Sequence, residues 1–290
     1  MYLQHADSQP CNSHHSILAD VIVTMKIGLF YRHIDDADRE AFGALRAALE
    51  SRGVTVCELG EGDSAVGCDY LLSIGGDGTL LSAVQFARQF APQAIPPIVG
   101  VNFGHLGFLT TAGRENPAAL ADALVQGHFT EEERTLLQTA DGHYALNEVF
   151  AQRGDSTTLL RTRVYVDDVY VATYAGDGVI VATPTGSTAY SLSCGGPILM
   201  SNSRCFVVTP ISAHTLTLRP IIVPDTATLR LDVEGGTFTL GIDSLRRKEQ
   251  GPSSLTLQRA PFTLRLLRLN TQNFFSAIRD KLMWGTEALL

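Results

Sequence analysis

Asp69-Tyr70-Leu71-Leu72-Ser73-Ile74-Gly75-Gly76-Asp77-Gly78-Thr79 joins an apolar run to a glycine loop and an amphipathic run, the signature of a strand-turn-helix unit. A short apolar run reads as a buried strand, four loop residues follow it, and a helix-patterned run extends from Thr79 to Ala91. Upstream, Lys26 to Tyr31 reads as another buried strand. From Asp35 to Gly53, Phe42, Leu45 and Leu49 recur at helical spacing, acidic residues crowd the first turn and Gly53 ends the run. Strand Val54 to Leu59 follows. Downstream come strand Ile98 to Asn102, after Pro96 and Pro97, and a helix capped by Asn116, with Pro117 at its first position and Gly127 near its end. Strands that alternate with helices predict a parallel sheet covered on both faces, an α/β domain over residues 25–134.

The texture changes near Thr135. Short alternating runs take over, Leu136 to Ala140 and His143 to Leu146 around Asp141-Gly142, then Arg163 to Val166 and Val169 to Tyr174 around Asp167-Asp168. Val179 to Ala182, Thr215 to Leu218, Thr228 to Val233, Thr237 to Ile242, Ser254 to Leu257 and Phe262 to Leu269 continue the pattern. Residues 135–271 therefore read as a second, all-β domain, a β-sandwich. Phe274 to Trp284 returns to helical spacing, with Ile278 and Leu282 on one face, and residues 272–290 are expected to pack back on the first domain. Residues 1–24 read as a loose polar extension ahead of Met25, with His14-His15 part of that tail. They lack the cationic start and apolar stretch of a signal peptide.

A hydrophobic share of 45% against 18% charged residues fits a folded globular chain, and 290 residues suit two domains by the prior of roughly 100 to 200 residues each. No apolar run approaches the roughly 18 to 20 residues of a membrane span, so no membrane partner is expected. Thirty acidic residues against 22 basic ones, a formal charge of −8, argue against a nucleic-acid partner whose backbone must be neutralised by Lys and Arg. The five cysteines form no CxxC pair and no metal spacing, as expected of free thiols in the cytoplasm.

Four segments carry chemistry. Gly75 to Thr79 joins a buried strand to a helix, where backbone N–H groups and the helix N-terminus favour an anion such as a phosphate. Asp77 puts a carboxylate into that loop, which suits a cation bridge or a group that takes a proton during reaction; the alternative is a turn that needs glycines, with Asp77 a solvated cap. No lysine lies nearby in sequence, and neither a P-loop nor a GxGxxG motif is present. Asn102 to Thr110 follows the next strand at its carboxyl end, the edge where open α/β sheets bind ligands, with His105 as a polar contact and Phe108 as a flat wall for a base. Asn147-Glu148 suits a nucleoside, the amide for an adenine edge and the carboxylate for ribose hydroxyls, although an ordinary loop explains the pair as well. The fourth segment runs from Gly176 to Pro197. Its Thr183-Pro184-Thr185-Gly186-Ser187-Thr188-Ala189-Tyr190-Ser191-Leu192-Ser193 core offers small residues and hydroxyls, close backbone approach and one aromatic face at Tyr190.

These segments, in this order and spacing, resemble the NAD kinase family over roughly residues 25 to 285. The GGDGT loop is shared with diacylglycerol-type and sphingosine-type lipid kinases, whereas TPTGSTAYSLS followed by GGP is far more specific. His214 to Pro220 also resembles the family's second-domain pattern. Asp243-Ser244-Leu245 departs from it, where relatives often continue with a glutamine. The resemblance implies a Rossmann-like α/β nucleotide-binding domain joined to a β-sandwich, with NAD in the cleft between them, and homodimers or homotetramers. It implies transfer of a phosphoryl group from ATP, with Mg2+, to the 2′-hydroxyl of the adenosine ribose of NAD, giving NADP. Asp77 is then the general base, Gly75, Gly76, Gly78 and Thr79 form the phosphate loop, and Asn147 and Glu148 hold the adenosine. Asp77, Gly78, Phe108, Thr185, Thr188, Ala189, Tyr190, Ser191, Leu192 and Ser193 line the NAD site, and Asp177 meets the nicotinamide side across a subunit interface. A lipid kinase with the same glycine loop, and a nucleotide-binding sensor without catalysis, are the competing expectations.

Overall fold

The computed structural model describes residues 24–60, 62–89, 93–104, 107–154, 158–269 and 274–284. The first part of the chain alternates as the hydrophobic pattern requires: β1 Lys26–Tyr31, α1 Arg39–Glu50, β2 Thr55–Leu59, β3 Tyr70–Ile74, α2 Asp77–Arg88, β4 Ile98–Asn102, β5 Ala112–Gly113 and α3 Pro117–Gln126. Strands β2, β1, β3 and β4 lie side by side in parallel register. β4 is buried along its whole length, as expected of a central strand with both faces covered. Leu45 and Leu49 of α1 and Leu120 and Leu124 of α3 cover one face, while Leu80, Ala83, Val84 and Ala87 of α2 cover the other. The α3 boundaries follow their local signals: the Asn116 side chain accepts the Ala119 N–H at 3.0 Å, and Gly127 turns left-handed at φ +70°.

The rest is mainly β: β6 Phe129–Thr139, β7 Tyr144–Ala145, β8 Glu148–Arg153, β9 Leu160–Val166, β10 Val169–Gly176, β11 Gly178–Ala182, a 3₁₀ turn Gly186–Thr188, the one-turn helix α4 Tyr190–Ser193, β12 Cys205–Ile211, β13 Ile221–Pro224, β14 Leu229–Val233, β15 Thr237–Ile242, β16 Leu245–Gln250, β17 Ser253–Leu269 and α5 Phe274–Leu282. Six of these strands form an antiparallel sheet in the order β13-β12-β11-β8-β15-β16. Its inner face meets β9, β10, β14 and the start of β17 around Val149, Val181, Phe206, Phe238, Leu231 and Leu257. Each fully buried Phe there stabilises the sandwich by about 1.5–3 kcal/mol.

Two expectations change. Ser254 to Leu257 and Phe262 to Leu269 belong to one 17-residue strand, β17, whose register shifts between Arg259 and Thr263 around Pro261. Its first part pairs with β14, and its second part pairs with β6 and meets β4 at Leu266, so one sheet runs from the α/β layers into the sandwich without a break at 135 or 271. Thr215 to Leu218 is not a strand. It closes a turn through the Leu218 N–H and the Thr215 carbonyl, with Leu216 85% exposed: its alternation finds no neighbouring strand to pair with. The expected 1–24 extension lies outside the described residues, apart from Thr24, as do residues 270–273 and 285–290 at the ends of the C-terminal helical segment. Among the described residues no helix is long and apolar enough to cross a membrane.

Candidate active site

Asp77 opens α2, and Gly76 before it is extended. Gly75 sits at φ +142°, where a Cβ would fall 2.4 Å from Thr79 Oγ1, so only glycine lets β3 turn this sharply onto the helix. The Asp77 carboxylate is no solvated cap. Oδ2 accepts the Phe108 N–H at 2.7 Å, and Oδ1 accepts those of Leu109 and Thr110 at 3.1 and 3.2 Å. Three amide dipoles thus offset the negative charge that sequence reasoning found out of place in a phosphate loop, and they fix the loop after β4. Gly107 is required by the same contact, since a Cβ there would lie 1.6 Å from Asp77 Oδ1. His105, expected as a polar contact in that loop, lies outside the described residues.

Asn147 and Glu148 do not sit in an ordinary loop. They lead into β8 and are only 8% and 6% exposed. The fully buried Asp243 accepts the N–H groups of Leu146, Asn147 and Glu148 at 2.7, 2.8 and 3.2 Å and gives its own N–H to the Glu148 carbonyl. Burial, opposed by those amides, pushes the Asp243 carboxyl up to about 6. Burial, and then the adjacent Asp243, push Glu148 up to about 8, while Arg246 and the Tyr190 N–H pull the other way. Asn147 Oδ1 and Glu148 Oε2 are buried without a hydrogen-bond partner.

The Thr183 to Ser193 segment is sewn onto this pair. Thr183 gives its N–H to the Asn147 carbonyl at 2.9 Å and its hydroxyl to that of Leu146. Gly186 packs on the Asn147 carbonyl so closely that a Cβ would approach it to 2.1 Å. Thr185 is buried, and its carbonyl accepts the Thr188 hydroxyl at 3.2 Å. Thr188, Ala189, Tyr190 and Leu192 are half-buried and Ser193 is exposed, so these face outward. Ser191 turns the other way: its hydroxyl is 2.8 Å from that of Thr209 on β12 and wholly buried, which anchors the short α4 on the sheet beneath it. The Tyr190 ring meets Phe150 edge-on at 5.3 Å, and burial raises its hydroxyl, with Cys194 and Asp177 adding to the shift. Asp177 pairs with Arg153 of its own chain at 2.7 Å.

Leu80 of α2, Leu109 beside Phe108, and Leu146 before Asn147 share one apolar cluster, so three motif segments are rooted together and the fourth is tied to Asn147. Sequence reasoning missed three side chains at this site. Asp243 stands out in the sequence only as a departure from the family pattern, and Arg246, whose guanidinium lies 4.5 Å over the Phe150 ring, gives no local signal beyond the basic run Arg246-Arg247-Lys248. The third is Lys281 of α5, 4.0 Å from Asp77 Oδ2 and 4.5 Å over the Phe108 ring.

Residues 52–129 match the ATP-NAD kinase N-terminal domain and residues 146–268 the ATP-NAD kinase C-terminal domain. A NAD kinase of Porphyromonas gingivalis is 42% identical over 224 residues, 75% of this chain and 76% of its own. One from Cytophaga hutchinsonii is 38% identical over 229 residues, 76% and 77% of the two chains. The fold is shared with yeast NADH kinase complexed with NADH, at a TM-score of 0.82 and 22% identity over 91% of this chain and 89% of that one. It is also shared with a NAD kinase from Archaeoglobus fulgidus in complex with ATP, at 0.75 and 24% over 89% and 99%. With both domains matched in chain order and relatives above 30% identity across three quarters of each sequence, the chain belongs to the NAD kinase family.

Proposed function

We propose that this protein transfers the γ-phosphoryl group of ATP to the 2′-hydroxyl of the adenosine ribose of NAD, giving NADP and ADP. The observation that carries the reading is the pair of orphaned acceptors, Asn147 Oδ1 and Glu148 Oε2, buried on a backbone that Asp243 holds rigid. Buried acceptors without partners are costly, and the amine and hydroxyl donors of an adenosine would satisfy them. Asp77 keeps a free lone-pair direction on Oδ2 beside its single amide bond, enough to receive the 2′-hydroxyl proton as the ribose oxygen attacks phosphorus. The amides at the start of α2 face the phosphates, and the outward side of Thr188 to Ser193 borders the dinucleotide, with Tyr190 against a ring.

Among the described residues no group of three or more His, Cys, Asp or Glu side chains gathers to hold a metal. Mg2+ is proposed to arrive with ATP, held chiefly by its phosphate oxygens and water. It would neutralise part of the roughly four negative charges of the triphosphate. A homodimer or homotetramer in the cytoplasm completes the proposal. The self-association is supported by apolar side chains exposed on two sheet edges, Val169 and Tyr170 of β10 and Ile222 of β13. The test is incubation with NAD, ATP and Mg2+ and measurement of NADP. NADP formation is expected. NAD binding without NADP would indicate a sensor, and phosphorylation of diacylglycerol but not NAD a lipid kinase.

A further inference from the structure

A carboxylate at the mouth of a phosphate loop repels the group it must serve, and the three amides on Asp77 are engaged with the carboxylate itself. A mobile cation is the missing element. The fold brings one from the far end of the chain: α5 places the Lys281 ammonium 4.0 Å from Asp77 Oδ2, outside hydrogen-bond range, and 4.5 Å over the face of Phe108. Lys281 is 22% exposed and Asp77 30%, so both groups remain reachable from solvent. Neither an ideal salt bridge nor a buried structural ion pair has this geometry. An ammonium parked on an aromatic face beside the carboxylate can turn toward an arriving phosphate without losing a hydrogen bond. Burial lowers the proton affinity of Lys281 while Asp77 opposes that, which marks the position as one where the charge is sparsely hydrated and ready for an anionic partner.

We propose that Lys281 is a catalytic residue of the phosphoryl transfer, the cation that contacts the transferring phosphoryl oxygens at the Asp77 loop. This rests on the NAD kinase reading above. In the step, the ribose 2′-oxygen forms a bond to the γ-phosphorus while the bond from that phosphorus to the bridging β,γ-oxygen breaks. The hydroxyl proton passes to Asp77, ADP leaves with the electron pair, and Lys281 stays protonated throughout. Its charge is worth most as negative charge spreads over the phosphoryl oxygens, so it acts on turnover rather than on NAD affinity.

The test compares wild type, Lys281→Met and Lys281→Arg for NADP formation, KM for ATP and NAD, calorimetric NAD affinity and Tm. Lys281→Met is expected to lower kcat about 100-fold, as for removal of one preorganised charge or donor at a transition state, with NAD affinity within twofold and Tm within about 3 °C of wild type. Lys281→Arg should recover at least tenfold of the loss. A kcat for Lys281→Met within threefold of wild type overturns the proposal. So does a loss that Arg fails to rescue and that comes with a fall in Tm or in NAD affinity, since that pattern means Lys281 only docks α5. If Lys281→Met does not fold, Lys281→Gln is judged by the same limits. Wild type that binds NAD and makes no NADP refutes the kinase reading itself, a result separate from any difference among the variants.

Discussion

Replacing Asp243 with Asn tests how the fold positions Asn147 and Glu148. The carboxylate accepts three consecutive N–H groups, that of Leu146 on Oδ2 and those of Asn147 and Glu148 on Oδ1. An amide has only one acceptor oxygen, so its NH2 must face at least one N–H donor. With the oxygen kept on Asn147 and Glu148, the 2.7 Å bond from Leu146 is lost; a hydrogen bond to a charged group is worth about 1.5–3 kcal/mol. Release of a buried charge from next to Glu148 offsets part of this. A net loss of about 1–3 kcal/mol at pH 7 corresponds to a Tm lower by roughly 2–5 °C for a chain of this size. The pH dependence adds a second condition. Both carboxyls have folded-state values above their ordinary ones, about 6 for Asp243 and about 8 for Glu148, so the native state binds protons more tightly than the unfolded chain. Their contribution is therefore fully present at low pH and is lost as pH rises through those values. Asp243→Asn removes one of the two groups and lets Glu148 relax downward, so its stability should change less between pH 5 and 8, and its deficit should be larger at pH 5. Thermal unfolding of both proteins across that range is the assay. A variant within 1 °C of wild type at pH 7, or one with an undiminished pH slope, refutes the cradle.

Asp77→Asn should lower turnover by about two orders of magnitude or more while NAD still binds. It should also lower Tm by a few degrees, because the amide must face one of the loop N–H groups, and near-normal kcat would remove Asp77 from the mechanism. Gly186→Ala drives a Cβ to 2.1 Å from the Asn147 carbonyl, a backbone clash expected to cost about 3 kcal/mol or more, so an unchanged urea midpoint would contradict the packing. Asp177→Ala removes the ion pair with Arg153 and should raise KM for NAD severalfold. If the carboxylate also serves a neighbour's site, mixing Asp177→Ala with Asp77→Asn subunits restores activity in mixed oligomers verified by mass spectrometry; unchanged activity in such oligomers confines Asp177 to its own chain.

What was legible in the sequence was what local physics writes there. Asn116-Pro117 and Gly127 bound α3 because caps act within one turn, and Asp167-Asp168, at φ +48° and +62°, close the β9–β10 hairpin as two turn residues should. Gly75 to Thr79 was readable for the same reason, a strand, a sharp turn and a helix in eleven residues. Thr215 to Leu218 shows the converse: a strand needs a neighbour, and periodicity alone cannot supply one. The unity of β17 was hidden by Pro261, whose missing donor falls at the register shift and so costs the ladder nothing. At the site, Asn147-Glu148 and the TPTGSTAY run were visible, but Asp243, Arg246 and Lys281 were not. Their partners lie on other elements, and one aspartate or lysine among many carries no local mark of the loop it will meet.

These three long-range groups explain how a chain of net charge −8 can present a site for polyanions. The carboxylates of the site are partly offset where they stand. Asp77 and Asp243 each face three backbone N–H groups, and Asp177 faces Arg153. Burial and the neighbouring Asp243 push the Glu148 carboxyl up to about 8, which favours its neutral form. Arg246, which donates to the Asp243 and Leu245 carbonyls, and Lys281 then lie beside groups whose charge is partly offset, and on the proposed reading Lys281 is the cation left for an incoming phosphate. Overall charge sets solubility and long-range steering, whereas the proposed phosphate chemistry depends on amide dipoles and a nearby cation over a few ångströms. The acidic composition and the phosphate chemistry therefore do not conflict: they operate at different distances.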